Sequence, residues 1–151
     1  MIMDKLVEFA DKTSVGTPNS TTVNVGSQID LGLIGRDVGN GYPVYLVILV
    51  TTSIGSGGAA TVSFKLSSDD SASIAVNGGQ TTHWESDVFA LAAVAAGKKI
   101  IVPLPLHDPT YEQFLGVQVT EHAGQALNAG AISAFLTLDP AAWKAYADAV
   151  N

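Results

Sequence analysis

The sequence predicts an all-β domain, a β-sandwich or barrel, on three observations. Hydrophobic residues recur with period 2 along most of the chain, and turn signals separate the alternating runs. The length of 151 residues also matches one domain. A chain of that size buries roughly 68–70% of its unfolded surface, so its core needs no staple. No cysteine is present, and the fold is therefore independent of redox state.

The first alternating run is Val23 and Val25 among polar residues, leading to Ile29-Asp30-Leu31. The second, Tyr42 to Thr52, is aromatic and β-branched with no polar break until Thr51. Such a run predicts a central strand covered on both faces. Thr61–Ser67 comes next, with Val62, Phe64 and Leu66 facing one way and polar residues the other. Lys99–Pro105 reads as a strand closed by prolines, which suits a sheet edge or a strand end. Leu115, Val117 and Val119 alternate again, followed by a polar loop from Gly124 to Gly130. Ile132, Ala134, Leu136 and Leu138 supply the last strand.

The ends read differently. Leu6, Phe9 and Ala10 form a weak apolar stripe, and Thr13–Thr22 is rich in Gly, Pro, Ser and Thr, so residues 1–22 are expected to form an extended arm. Asp139-Pro140 is a helix start, an N-cap acid before proline at the first helical position. Trp143, Tyr146, Ala147 and Val150 then recur at helical spacing, predicting a short terminal helix over 140–151 that must dock to be stable. One domain, 1–151, with two appendages is the expected organisation.

Composition narrows the function. Charged residues make up 14% of the chain against about 25% in an average domain, while hydrophobic residues reach 47% and mean hydropathy is +0.30. Disorder needs the opposite balance. Some apolar surface is therefore expected to be covered by other chains. Fourteen acids stand against seven bases, a net charge of −7, and Arg36 is the one arginine, so nucleic acid is excluded as an expected partner. The apolar runs Val44–Val50 and Val88–Ala96 fall short of the ~18–20 residues that cross a bilayer, and Met1–Lys12 carries three acids, unlike a signal peptide.

Candidate chemical motifs weaken in context. Gly55-Ser56-Gly57-Gly58-Ala59-Ala60 matches a dinucleotide-binding pattern, but a strand rather than a helix follows, so it is read as a hairpin loop. His83, His107 and His122 lack metal-ligand spacing and are expected to be exposed loop histidines. Asp69-Asp70 lacks the calcium-loop signature and reads as a pair of turn acids. Arg36-Asp37, just before the most apolar strand, is a local pair or a contact to a neighbouring subunit.

Three segments together carry a resemblance: Ile29-Asp30-Leu31-Gly32 continuing through Arg36-Asp37-Val38-Gly39-Asn40-Gly41-Tyr42-Pro43-Val44-Tyr45-Leu46-Val47; Lys99–Pro105; and Ala131–Asp139. In this order and spacing they resemble the capsid cement (decoration) proteins of tailed bacteriophages, the type described for a Bordetella phage. The resemblance spans about Phe9 to Asp139 and implies a jelly-roll β-sandwich on the outer surface of the virion, assembled in the host cytoplasm. It implies a homo-oligomer, dimer or trimer, that clamps neighbouring copies of the major capsid protein. No enzyme activity, metal or cofactor is implied. Phe9, Arg36, Asp37, Trp143 and Tyr146 are the candidate interface residues, with the two appendages reaching neighbours. The tail Pro140–Asn151 departs from the shorter members. The alternative reading is a carbohydrate-binding sandwich on a phage surface, with Trp84, Trp143 and the tyrosines stacking on sugars.

Overall fold

The unbroken apolar run of the sequence becomes β3 (Tyr45–Ser56), an inner strand between β9 (Leu127–Thr137) and β7 (Lys99–Pro103). A computed structural model describes residues 5–33, 38, 41–105 and 110–140. With β1 (Glu8–Ser14) these strands form one antiparallel sheet in the order β1-β9-β3-β7. The other sheet runs β2 (Thr22–Asp30), β8 (Phe114–Glu121), β4 (Thr61–Asp69), β5 (Thr81–Glu85), and the two-residue β6 (Phe89–Ala90) also pairs with β4. Successive strands alternate between the sheets over much of the chain, the winding of a jelly-roll-like sandwich.

Leu46, Ile48 and Val50 of β3 meet Val62, Phe64 and Leu66 of β4, with Leu115, Val117 and Val119 of β8, in one core. Period-2 alternation selects these faces. Val47 and its register partner Phe135 point the other way and are still only 2% exposed, so β3 is covered on both faces as its composition predicts. β7 lies at the edge of its sheet, in keeping with its prolines.

Three expectations are corrected. Residues 1–22 are not simply an arm: Lys5–Val7 is a 3₁₀ turn, and Glu8–Ser14 is a strand paired to β9, with Glu8 opposite Phe135. Register shifts on either side of Ala10 explain why the alternation is illegible there. Gly57–Ala60 is no hairpin, because β3 and β4 lie in different sheets and the glycines carry the chain from one to the other. The loop after β8 is shorter than expected, since β9 begins at Leu127 and Leu138 lies beyond its end. The expected helix over 140–151 falls, from residue 141 on, outside the described residues.

The β4–β5 connection, residues 70–80, folds back over the outer face of its own sheet. Asp69 starts it by accepting hydrogen bonds from the Ser71 and Ala75 backbone N–H groups at 2.9 Å, the Ala75 bond first in effect, which hold its carboxyl below the ordinary range. Asn24 donates to the Ile74 carbonyl and Gln118 to the Ala75 carbonyl, both at 2.8 Å. Ile74 itself is buried over Gly116, where a Cβ would stand 2.6 Å from its Cδ1. Gly116→Ala is therefore expected to lift Ile74 and cost about 1–2 kcal/mol. Thermal unfolding reads the loss, and faster amide exchange at Ile74 and Ala75 locates it.

Candidate interaction surface

Strand directions gather the start of β1, the end of β9 and the long connections at one end of the sandwich. β1 begins there, β9 and β7 end there, and Tyr45 pairs with both Thr137 and Pro103. In the second sheet β2 ends and β8 begins at that end, with Asp30 opposite Phe114. Seven large apolar side chains are exposed among the described residues, and four of them sit on the segments leaving this end: Leu6 (78%), Leu33 (74%), Tyr42 (70%) and Leu138 (65%). Scattered exposed leucines are ordinary, but a group of four at one end makes that end the candidate interaction surface.

Beside it runs a groove. β1 and β2 are the edge strands on the same side of the two sheets. Their backbones meet where Gly26, at φ +74°, passes Phe9, so close that a Cβ on Gly26 would stand 2.0 Å from the Phe9 carbonyl oxygen. Around this contact the two edges bound a cavity of about 640 Å³ that reaches Leu6 and Asp30. Glu8, Asp11 and Asp30 line it against a single base, Lys5.

Candidate interface residues separate accordingly. Phe9 is 2% exposed and belongs to the chain's own core, so its side chain is not available to a partner. Arg36, Asp37, Trp143 and Tyr146 lie outside the described residues. Trp84 is half-buried and packs against the core, which takes most of its ring away from any sugar.

His83 departs from the expected exposed loop histidine, being buried within β5, whereas His122 is exposed just beyond the end of β8 as expected. Ser68 Oγ, fully buried, lies 2.7 Å from His83 Nε2, donates to Glu112 Oε2 and accepts from the Glu112 backbone N–H, both at 3.1 Å. With its hydrogen given to Glu112, the hydroxyl accepts from His83. His83 stacks on Tyr111 at 4.1 Å, and the Tyr111 hydroxyl donates to the Pro105 carbonyl at 2.7 Å. Together these contacts pin the segment before β8 to β4 and β5. His122 is exposed, and its Nε2 lies 2.8 Å from Ser63 Oγ, which donates to Glu85 Oε1 at 3.1 Å. In both clusters one serine hydroxyl lies within hydrogen-bond distance of an imidazole and a carboxylate. His107 lies outside the described residues. Among the described residues, no group of three or more acidic or histidine side chains could hold a metal.

Burial pushes the Tyr111 phenol up to about 12. The folded state thus favours the neutral ring. Its contribution to stability is complete below the ordinary value of about 10 and drains as pH rises toward 12. Absorbance titration should show a tyrosinate step near pH 12 that Tyr111→Phe removes.

A family model named Bbp16 matches residues 10–136. That range is nearly the whole sandwich, from within β1 to the end of β9. The chain belongs to the Bbp16 family. The family name points to a Bordetella phage protein, compatible with a structural role in a phage. No curated protein matches the chain. Within the Bbp16 match fall Leu33 and Tyr42 of the exposed end and the whole β2 side of the groove, while Leu6 and Leu138 lie just outside it.

Proposed function

We propose that this Bbp16-family chain is a capsid cement protein, which binds the outer surface of a phage head and links neighbouring copies of the major capsid protein. Membership of a phage family across the whole sandwich is the observation that carries the reading. Several features support it. The chain has half the usual share of charged residues, and its exposed apolar side chains concentrate at one end, the composition of a surface meant to be covered by protein. A net charge of −7 is unsuited to a position against DNA and keeps an outward-facing coat protein soluble. Function on this reading is mechanical. A sandwich with a rigid core spans a seam, and repeated modest contacts over a symmetric shell sum to strong retention through avidity. A dimer or trimer would engage two or three capsid subunits at once.

Co-sedimentation of the purified protein with purified expanded heads of the phage that encodes it tests this. Stoichiometric, saturable binding that raises the temperature of head disruption is the expected result. Absence of binding to expanded heads would overturn it.

A further inference from the structure

The β1–β2 groove has a chemistry that the proposed function does not use. Each flanking strand is hydrogen-bonded on one side only, β1 to β9 and β2 to β8, and no ladder joins β1 to β2 among the described residues. An open strand edge is a template for another strand. Natural edges are blunted by bulges and charge, and both are present here: register shifts interrupt β1 on either side of Ala10, and another follows Val25 in β2. Blunting suppresses indiscriminate pairing, and the sign of the charge then selects the partner.

That sign is negative. Three carboxylates and one ammonium line the groove, and their commitments differ. Asp30 Oδ1 is occupied by the Gly32 N–H at 2.8 Å and Gln113 Nε2 at 3.2 Å, while Asp11 Oδ1 receives only a 3.4 Å contact from Ser133. Asp11 is exposed and Glu8 partly so. Leu6 and Ile29 add apolar surface to a lining that also carries Thr13, Ser27 and Gln28. A second copy of this acidic chain would bring like charge against like charge.

We propose that the β1–β2 groove receives an extended segment of a partner protein bearing lysine or arginine beside an apolar residue, with β1 offering its backbone edge and Glu8 and Asp11 the counter-charge. The proposal rests on the cement reading for its partner, the capsid shell, and locates the contact on the molecule. Leu6 links the groove to the exposed apolar end, so one continuous surface would be engaged.

The test uses purified expanded heads as the probe and three forms of the full chain: wild type, the double variant Glu8→Lys/Asp11→Lys, and a control, Glu85→Lys/Asp87→Lys, with the same change in net charge at the opposite edge of the second sheet. Thermal unfolding first establishes that each variant folds. Head affinity is expected to fall at least tenfold for the groove variant and to stay within twofold for the control, and wild-type binding should weaken with added salt. Amide exchange on wild type, free and head-bound, gives a readout independent of any variant, with protection expected at Glu8–Ser14. Binding by the groove variant equal to wild type, with β1 amides unprotected, would overturn the groove assignment and leave the cement reading standing. Failure of wild type to bind heads would instead remove the reading beneath it. Protection of β1 on self-association without heads would show the occupant to be a second copy, which also overturns the proposal.

Discussion

Glu121→Ala is expected to destabilise the protein by about 3 kcal/mol at pH 7, the cost of leaving buried backbone donors without an acceptor. The side chain is 1% exposed and accepts four backbone N–H bonds. Ala123 donates to Oε1 at 2.6 Å, and Ser20, Gly124 and Gln125 donate to Oε2 at 2.8, 3.0 and 3.2 Å. One carboxylate thus joins the β1–β2 turn to the β8–β9 turn. Burial alone would push its pKa up, and the four donors outweigh that and hold it below the ordinary value. A depressed folded pKa means that the stabilisation is complete above the unfolded value, about 4.3, and is lost as pH falls through the folded one. Urea unfolding should therefore show a wild-type advantage over Glu121→Ala that is full at pH 6–7, shrinks below about pH 4 and vanishes in stronger acid. Glu121→Gln should lie between the two. Its one oxygen can serve the three donors at the Oε2 position, but its amide then faces the Ala123 N–H donor to donor. A constant gap between wild type and Glu121→Ala from pH 7 to pH 2 would refute the account.

Gly26→Ala is expected to cost about 3 kcal/mol or more, a size reserved for named backbone or core faults. Two penalties combine. At φ +74° any L side chain costs about 1 kcal/mol. The new methyl would also lie 2.0 Å from the Phe9 carbonyl oxygen and 2.9 Å from its carbon, backbone atoms held by the β1–β9 ladder. Gly41→Ala is the control: its φ is +84°, yet among the described residues no atom lies within 4 Å of the added Cβ, so the conformational term of about 1 kcal/mol is the one expected. Chemical denaturation of both variants separates close approach from backbone geometry. Comparable losses at the two positions would show that β1 and β2 do not depend on contact at Phe9. Gly26→Ala also opens the groove described above, so it is expected to impair head binding at temperatures where it remains folded.

Legibility of the fold followed the range of the signal. β3, β4 and β8 are readable because alternation is a local property: Val62, Phe64 and Leu66 declare a buried face whatever strands lie beside them. β1 is not readable, because its bulges break the period and its partner is more than a hundred residues away, with Glu8 opposite Phe135. β5 is hidden for a related reason. Thr81–Glu85 has little apolar content, and His83 at its register shift is held by Ser68 and Tyr111 rather than by a pattern. The groove left one trace in the sequence: Gly26 within an alternating run, the sign of a bulge or close backbone approach.

For this protein, the sequence by itself determined an all-β class, a two-face-covered central strand and an acidic, weakly charged composition. Those properties reside in residue type and short-range spacing. Only the tertiary structure decided which sheet each strand joins, that Gly57–Ala60 crosses between sheets, and that Phe9 is core rather than interface. It also gathered Leu6, Leu33, Tyr42 and Leu138 at one end, next to an acidic groove between two open edges. Pairings such as Glu8 with Phe135 and Asp30 with Phe114 close long loops, and no local preference encodes which distant strand will satisfy a given edge.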